Sequence, residues 1–268
     1  MKSIYFLGGL PRSGNTLLSA LLNQNPDIYV PPISPLLEHL SIIDNNLNSH
    51  EATLSADFNN NTLCGLKEYV KGFYGNVKES IIIDRNKAWG SKDSIFNACK
   101  YITDTPKIIF TVRDIPSILA SFVSLLGDSE DNFIDNNLRN IGVKLYGDQT
   151  QNDLRCDWLM NGQVGLGLAN LTELLQLQVA TCLVEYDDLV NDPQKELNDI
   201  YDFLGLPHFK HDVNNVEKKE QENLINAGLP ANLHDVRKEV KKVSLHPNLV
   251  LPLHSQNKYS GLEFWRNK

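Results

Sequence analysis

The chain has 268 residues, 41% of them hydrophobic, which is enough to bury one sizeable core. A formal net charge of −8 speaks against a general nucleic-acid binder or a protein that coats acidic membranes, although a local basic pocket stays possible. Cys64, Cys99, Cys156 and Cys182 are widely spaced, with no C-x-x-C, so buried free thiols in a reducing compartment are expected rather than a metal site or a disulfide framework.

Short runs rich in Ile and Val predict strands at Ser3–Leu7, Asp27–Val30, Ser80–Ile83, Lys107–Val112 and Thr181–Glu185. They do not alternate, as befits strands covered by helices on both faces. Helical patterns lie at Thr16–Asn23, Pro35–Ile43, Leu63–Tyr74, Lys92–Ile102, Pro116–Leu126, Asp148–Leu159, Leu168–Leu177 and Pro193–Leu204. The alternation predicts an α/β fold, a doubly wound parallel sheet flanked by helices with helical excursions, forming one domain over residues 1–268, and the loop after its first strand, described below, makes that sheet P-loop-type. Asn45–Asn61 and Asp128–Asn140 read as surface excursions, and Lys210–Glu222 as a solvated helix face. The phosphate loop described next begins within ten residues of Met1, and no apolar run nears the roughly 18 residues of a membrane span. The expectation is a soluble, cytoplasmic protein with no leader peptide.

The most informative segment joins the first strand to the first helix: Gly8-Gly9-Leu10-Pro11-Arg12-Ser13-Gly14-Asn15-Thr16. A strand, a tight Gly-containing loop and a helix N-terminus converge backbone N–H groups on an anion. The spacing from Gly9 to Thr16 is that of a Walker A loop, but Asn15 stands where the Lys belongs and Arg12 supplies the cation. Without that Lys a triphosphate is disfavoured, which counts against a P-loop kinase or NTPase.

The second segment is Ile108-Ile109-Phe110-Thr111-Val112-Arg113-Asp114-Ile115-Pro116, with Ser121 about two turns into the following helix. A guanidinium at a strand's carboxyl end and this hydroxyl can share one phosphate. The plainer alternative pairs Arg113 with Asp114. A third segment, Ile81-Ile82-Ile83-Asp84-Arg85-Asn86-Lys87-Ala88-Trp89, is another buried strand ending in charge. His208 and His211 fit a surface loop better than a metal site.

Together these segments resemble the sulfotransferase family over most of the chain. Pro11-Arg12-Ser13-Gly14-Asn15-Thr16 is similar to that family's loop for the 5′-phosphosulfate of 3′-phosphoadenosine-5′-phosphosulfate (PAPS). Val112-Arg113-Asp114 with Ser121 is similar to its 3′-phosphate site. Glu185-Tyr186-Asp187-Asp188-Leu189, Asp192-Pro193 and Phe203-Leu204-Gly205-Leu206-Pro207 match a further shared segment. The nearest branch is the bacterial and tyrosylprotein-type enzymes. The resemblance implies transfer of a sulfuryl group from PAPS, leaving PAP and needing no metal, to a hydroxyl or amine on a small molecule, glycan or peptide. Arg12, Ser13, Gly14, Asn15, Thr16, Arg113, Ser121 and Tyr186 would bind the donor. Arg85 falls where relatives carry a Lys at the bridging oxygen, and Lys87 is a second candidate cation. Trp89 either stacks on adenine or belongs to the core. Arg237 and Lys242 are candidates for a closing C-terminal segment.

The general base is open. Tyrosylprotein-type enzymes carry a Glu where this chain has Ile33. Glu38 lies in the first turn of the helix predicted at Pro35, either as the base or as a partner of the helix dipole; Asp84 and His39 are the other candidates. A non-catalytic nucleotide-binding protein is the remaining alternative.

Overall fold

In the computed structural model, described over residues 2–47, 49–55, 59–127, 131–220, 234–242 and 246–266, five strands form one sheet. They are β1 (Ser3–Gly9), β2 (Ile28–Tyr29), β3 (Ile81–Arg85), β4 (Lys107–Val112) and β5 (Ala180–Glu185), in the order β2-β3-β1-β4-β5 and all parallel. The helices are α1 (Asn15–Leu22), α2 (Leu36–Leu47), α3 (Glu51–Ser55), α4 (Asn59–Phe73), α5 (Lys92–Tyr101), α6 (Ile115–Leu126), α7 (Phe133–Asn140), α8 (Gln151–Asn161), α9 (Gln163–Gln176), α10 (Tyr186–Asn191), α11 (Pro193–Leu204) and α12 (Leu253–Tyr259).

Successive strand residues feed opposite cores, as the pleat requires. Phe6, Ile108, Phe110 and Val112 pack with α5, α6, α8 and α9, whereas Leu7, Ile83, Ile109 and Val184 pack with α1 and α11. Beside them, Ile82 meets Leu36 and Leu40 of α2 and Leu66 and Val70 of α4. Each such fully buried side chain contributes roughly 1.5–3 kcal/mol.

Several helix starts follow capping residues in the sequence. Asp114 accepts the Ser117 N–H at 2.9 Å to begin α6, with Pro116 in its first turn. Asp192 caps α11 ahead of Pro193, and Gly205, at φ 77°, ends that helix. Since all five strands run parallel, their carboxyl ends lie along one edge of the sheet, and the loops leaving them build the site.

Several expectations change. Residues 206–220 form turns and extended chain rather than a helix, because Val216 is buried and its N–H bonds to the Lys238 carbonyl at 2.7 Å; positions 221 and 222 of that stretch lie outside the described residues. Within the polar segment before residue 140, α7 buries Ile134 and Leu138. Cys64 and Cys99 are exposed, and only Cys156 is fully buried. His211 is buried, in hydrogen-bond contact with the Tyr201 hydroxyl, while His208 is exposed and paired with Asp202. Among the described residues no helix is long and apolar enough to cross a membrane.

Candidate active site

The loop at residues 10–14 is held from beneath by side chains. The Ser13 hydroxyl is fully buried and donates to the Leu10 carbonyl at 2.5 Å, with Thr111 Oγ1 at 2.6 Å. The Asn15 amide donates to the same Leu10 carbonyl at 3.2 Å. Ser13 and Asn15 therefore face inward, and what they offer a ligand is backbone N–H. Asn15 does not stand in for the Walker Lys.

Two positions allow the backbone to come so close. A Cβ on Gly9 would lie 2.1 Å from Thr111 Oγ1, and one on Gly14, at φ 92°, would lie 2.9 Å from the Tyr186 ring. Arg12 itself adopts φ 58°. Helix α1 starts with no side-chain cap and no acid in its first turn, so its positive end is available to an anion.

Arg12 and Arg113 converge above this loop. Arg113 donates to the Arg12 carbonyl at 3.1 Å, and its guanidinium lies 4.1 Å from the centre of the Tyr186 ring. Its Nε is buried with no hydrogen-bond partner. Asp114 is turned to its helix cap, so the local Arg–Asp pair weighed from sequence does not form. Burial first, and the charge of Arg113 second, lower the pKa of the Arg12 guanidinium. Ser121 is placed differently from the sequence reading: its hydroxyl accepts from Arg12 Nε at 3.0 Å instead of sitting with Arg113. Arg12, Arg113 and Ser121, expected at two separate phosphate contacts, are thus brought together. Tyr186 supplies a ring that packs on Gly14 and carries Arg113.

Arg85 is buried at the end of β3, and its guanidinium donates to Thr16 Oγ1 at 2.9 Å. Thr16 and Arg85 open onto a crevice also lined by Ser19, Asn23, Lys218 and Glu220. Lys218 escaped the sequence reading, which placed its segment on a solvated helix. Lys87 is exposed.

Trp89 is not an adenine platform. It is fully buried against Phe6, with ring centres 4.3 Å apart, and donates its indole N–H to Asp84 at 2.6 Å. Asp84, also fully buried, accepts from the Ser34 and Tyr74 hydroxyls at 2.5 Å as well. Burial pushes the pKa of its carboxyl up. With its oxygens occupied inside the core, Asp84 is a poor candidate for the base. The His39 ring lies 2.6 Å from the Tyr69 hydroxyl. Glu38, by contrast, is exposed on the first turn of α2, with both carboxylate oxygens 2.9 Å from the Asn86 amide nitrogen.

The C-terminal region reaches the same edge of the sheet. Lys242 lies 3.7 Å from Asp187, next to Tyr186. Glu263 accepts the Ile115 N–H, and Arg266 and Trp265 bond to Glu185. Arg237 is exposed. Among the described residues no cluster of His, Cys, Asp and Glu is fit to hold a metal ion.

A sequence profile of the Sulfotransferase family matches residues 5–211. Among solved structures, the chain is similar to the sulfotransferase domain from the curacin biosynthetic pathway, with a TM-score of 0.55, 18% identity and 96% of each chain covered. It is also similar to sulfotransferase STF9 from Mycobacterium avium, with a TM-score of 0.50 and 14% identity, covering 100% of this chain and 77% of that one. At such identities the two structures speak for the fold. Comparison with curated proteins gives no match.

Proposed function

The chain belongs to the sulfotransferase family, and on that premise we propose that its donor is PAPS, that residues 12–16 with Arg113 and Ser121 hold that donor, and that Glu38 is the general base. The observation that carries this reading is the pairing of Arg12 with Arg113 over an uncapped helix start, with the Arg113 Nε buried and unpartnered. Burying like charges together is unfavourable unless an anion joins them. A phosphate or phosphosulfate fits that demand.

When bound, PAPS supplies a sulfuryl group on a phosphate leaving group. The residues around it have separate tasks. Backbone N–H groups of Gly14, Asn15 and Thr16 and the guanidinium of Arg12 take negative charge on the 5′ side. Arg113 takes the 3′-phosphate, with the Tyr186 ring fixing the plane of its guanidinium. Arg85, oriented by Thr16, neutralises charge near the transferring group. Its fork of donors is wider than a Lys ammonium and can donate to two oxygens. Glu38 takes the proton of the acceptor hydroxyl or amine. No divalent ion is called on, because cations of the chain itself cover the charge. Cytoplasmic location and a single catalytic domain are part of the same proposal.

Thermal unfolding in the presence of PAP, compared with ATP–Mg²⁺, tests the donor class. PAP at 100 times its dissociation constant should add about 2.7 kcal/mol of stability, unaffected by a chelator. Tighter binding of ATP–Mg²⁺ than of PAP would return the chain to the kinase or NTPase reading.

A further inference from the structure

Residues 84–86 leave the sheet with three side chains in three directions, and the third has no role in the site so far. Asp84 points into the core. Arg85 reaches Thr16 of the phosphate loop at 2.9 Å. Asn86, only 3% exposed, reaches the opposite way, toward the start of α2. Its side-chain nitrogen donates to the Ser34 carbonyl at 2.9 Å and to both Glu38 oxygens at 2.9 Å. Its side-chain oxygen accepts the Ala88 N–H at 2.9 Å, and its backbone N–H bonds to the Leu7 carbonyl at 3.1 Å. The amide is therefore committed at every polar atom and cannot rotate without breaking several bonds.

The partner it holds is otherwise unrestrained. Glu38 is exposed, and a free Glu side chain samples many rotamers, worth up to about 1.5–2 kcal/mol of entropy. A bond to both carboxylate oxygens from a buried, fixed amide selects one of them. The backbone beneath is fixed too: the Ser34 N–H bonds to the Arg85 carbonyl at 2.8 Å and the Ser34 hydroxyl to Asp84 at 2.5 Å. Consecutive residues of one strand end thus hold the phosphate loop on one side and a carboxylate on the other.

We propose that Asn86 is a positioning residue: it clamps the Glu38 carboxylate in the orientation that receives the acceptor's proton, and it couples that orientation to Arg85 through the rigid end of β3. This rests on the assignment of Glu38 as base. A helix-dipole partner on the surface has no need of a two-oxygen clamp from a buried amide.

The test uses PAPS with water as acceptor, so that no acceptor need be known. In that reaction a new S–O bond forms to the water oxygen and the S–O bond to the phosphate breaks. PAP leaves with the electron pair, and Glu38 receives the proton. Asn86→Ala should lower kcat about 10- to 100-fold, the scale of misplacing a reacting group, with the dissociation constant for PAP unchanged. In the Glu38→Gln background the same change should have no further effect on kcat. Equal fold-losses in both backgrounds, or a normal kcat in Asn86→Ala, would overturn the clamp. Should Asn86→Ala fail to fold, Glu38→Asp serves instead. It keeps the carboxylate on an exposed site but withdraws it from Asn86 by one methylene, and turnover equal to the parent would overturn the clamp as well. Parental turnover in Glu38→Gln itself would remove the base assignment, a failure distinct from the loss of the clamp alone.

Discussion

Replacing Gly14 by Ala adds one methyl group where the loop, the Tyr186 ring and Arg113 meet. Two costs follow from the geometry. At φ 92° an L-residue lies in the left-handed region, at roughly 1–2 kcal/mol. The new carbon would also stand 2.9 Å from Tyr186 Cδ2, inside the roughly 3.5–4.0 Å of a normal carbon contact, and 3.6 Å from Leu189. The ring must retreat by about 0.6 Å or more, at an overpacking cost of about 1–3 kcal/mol. The sum, about 2–5 kcal/mol, should lower Tm by roughly 4–20 °C. The same retreat carries Arg113 with it, because the guanidinium rests 4.1 Å from the ring centre. PAP affinity should fall at least about tenfold, the loss of one charged hydrogen bond. Differential scanning calorimetry gives the first quantity and isothermal titration with PAP the second. A Gly14→Ala protein with parental Tm and PAP affinity within about twofold of parent would refute the claim that Tyr186 is braced by the loop.

Arg12→Ala should weaken PAP by about 1.5–3 kcal/mol, or roughly 10- to 150-fold, in the same titration; unchanged affinity and turnover would place its guanidinium in solvent. Arg113→Ala should weaken PAP far more than adenosine 5′-phosphosulfate, which lacks the 3′-phosphate, and equal losses would make Arg113 structural or a reader of the 5′ side. Ser121→Ala should behave as an Arg12 variant, since the two side chains are bonded at 3.0 Å. Trp89→Phe removes a donor from buried Asp84 and should destabilise the fold by about 1–3 kcal/mol in denaturant titration, with PAP affinity intact; a selective loss of PAP binding would restore the adenine-stacking role.

The parts of the fold that the sequence displayed are those with local signals. Ile81–Ile83 and Ile108–Val112 are apolar runs with turn residues after them, and β3 and β4 lie there. Pro193 and Gly205 mark both ends of α11. The loop motif pointed to the proposed donor site because its mechanism is carried by consecutive residues. What escaped depends on contacts remote in sequence. Thr111 is an ordinary residue within a strand until it meets Ser13, 98 positions away. Asn86 meets Glu38 across 48 positions. Trp89 follows a charged strand end, as a ligand platform would, and only its burial against Phe6 and Asp84 excludes that role. The same holds for Lys210–Glu220, whose charge density suggests a helix while buried Val216 and its bond to Lys238 keep the chain extended.

The bonds from Ser13 and Asn15 to the Leu10 carbonyl, and from Ser13 to Thr111, have a kinetic meaning. Each is internal to the protein, so the loop has its curvature before any anion arrives. The backbone entropy of shaping it, roughly 1–2 kcal/mol per residue, is spent in folding and not at encounter. An anion then meets a loop already shaped by the chain's own hydrogen bonds. Association should follow a single exponential that rises linearly with ligand concentration, with no plateau from a slow loop step.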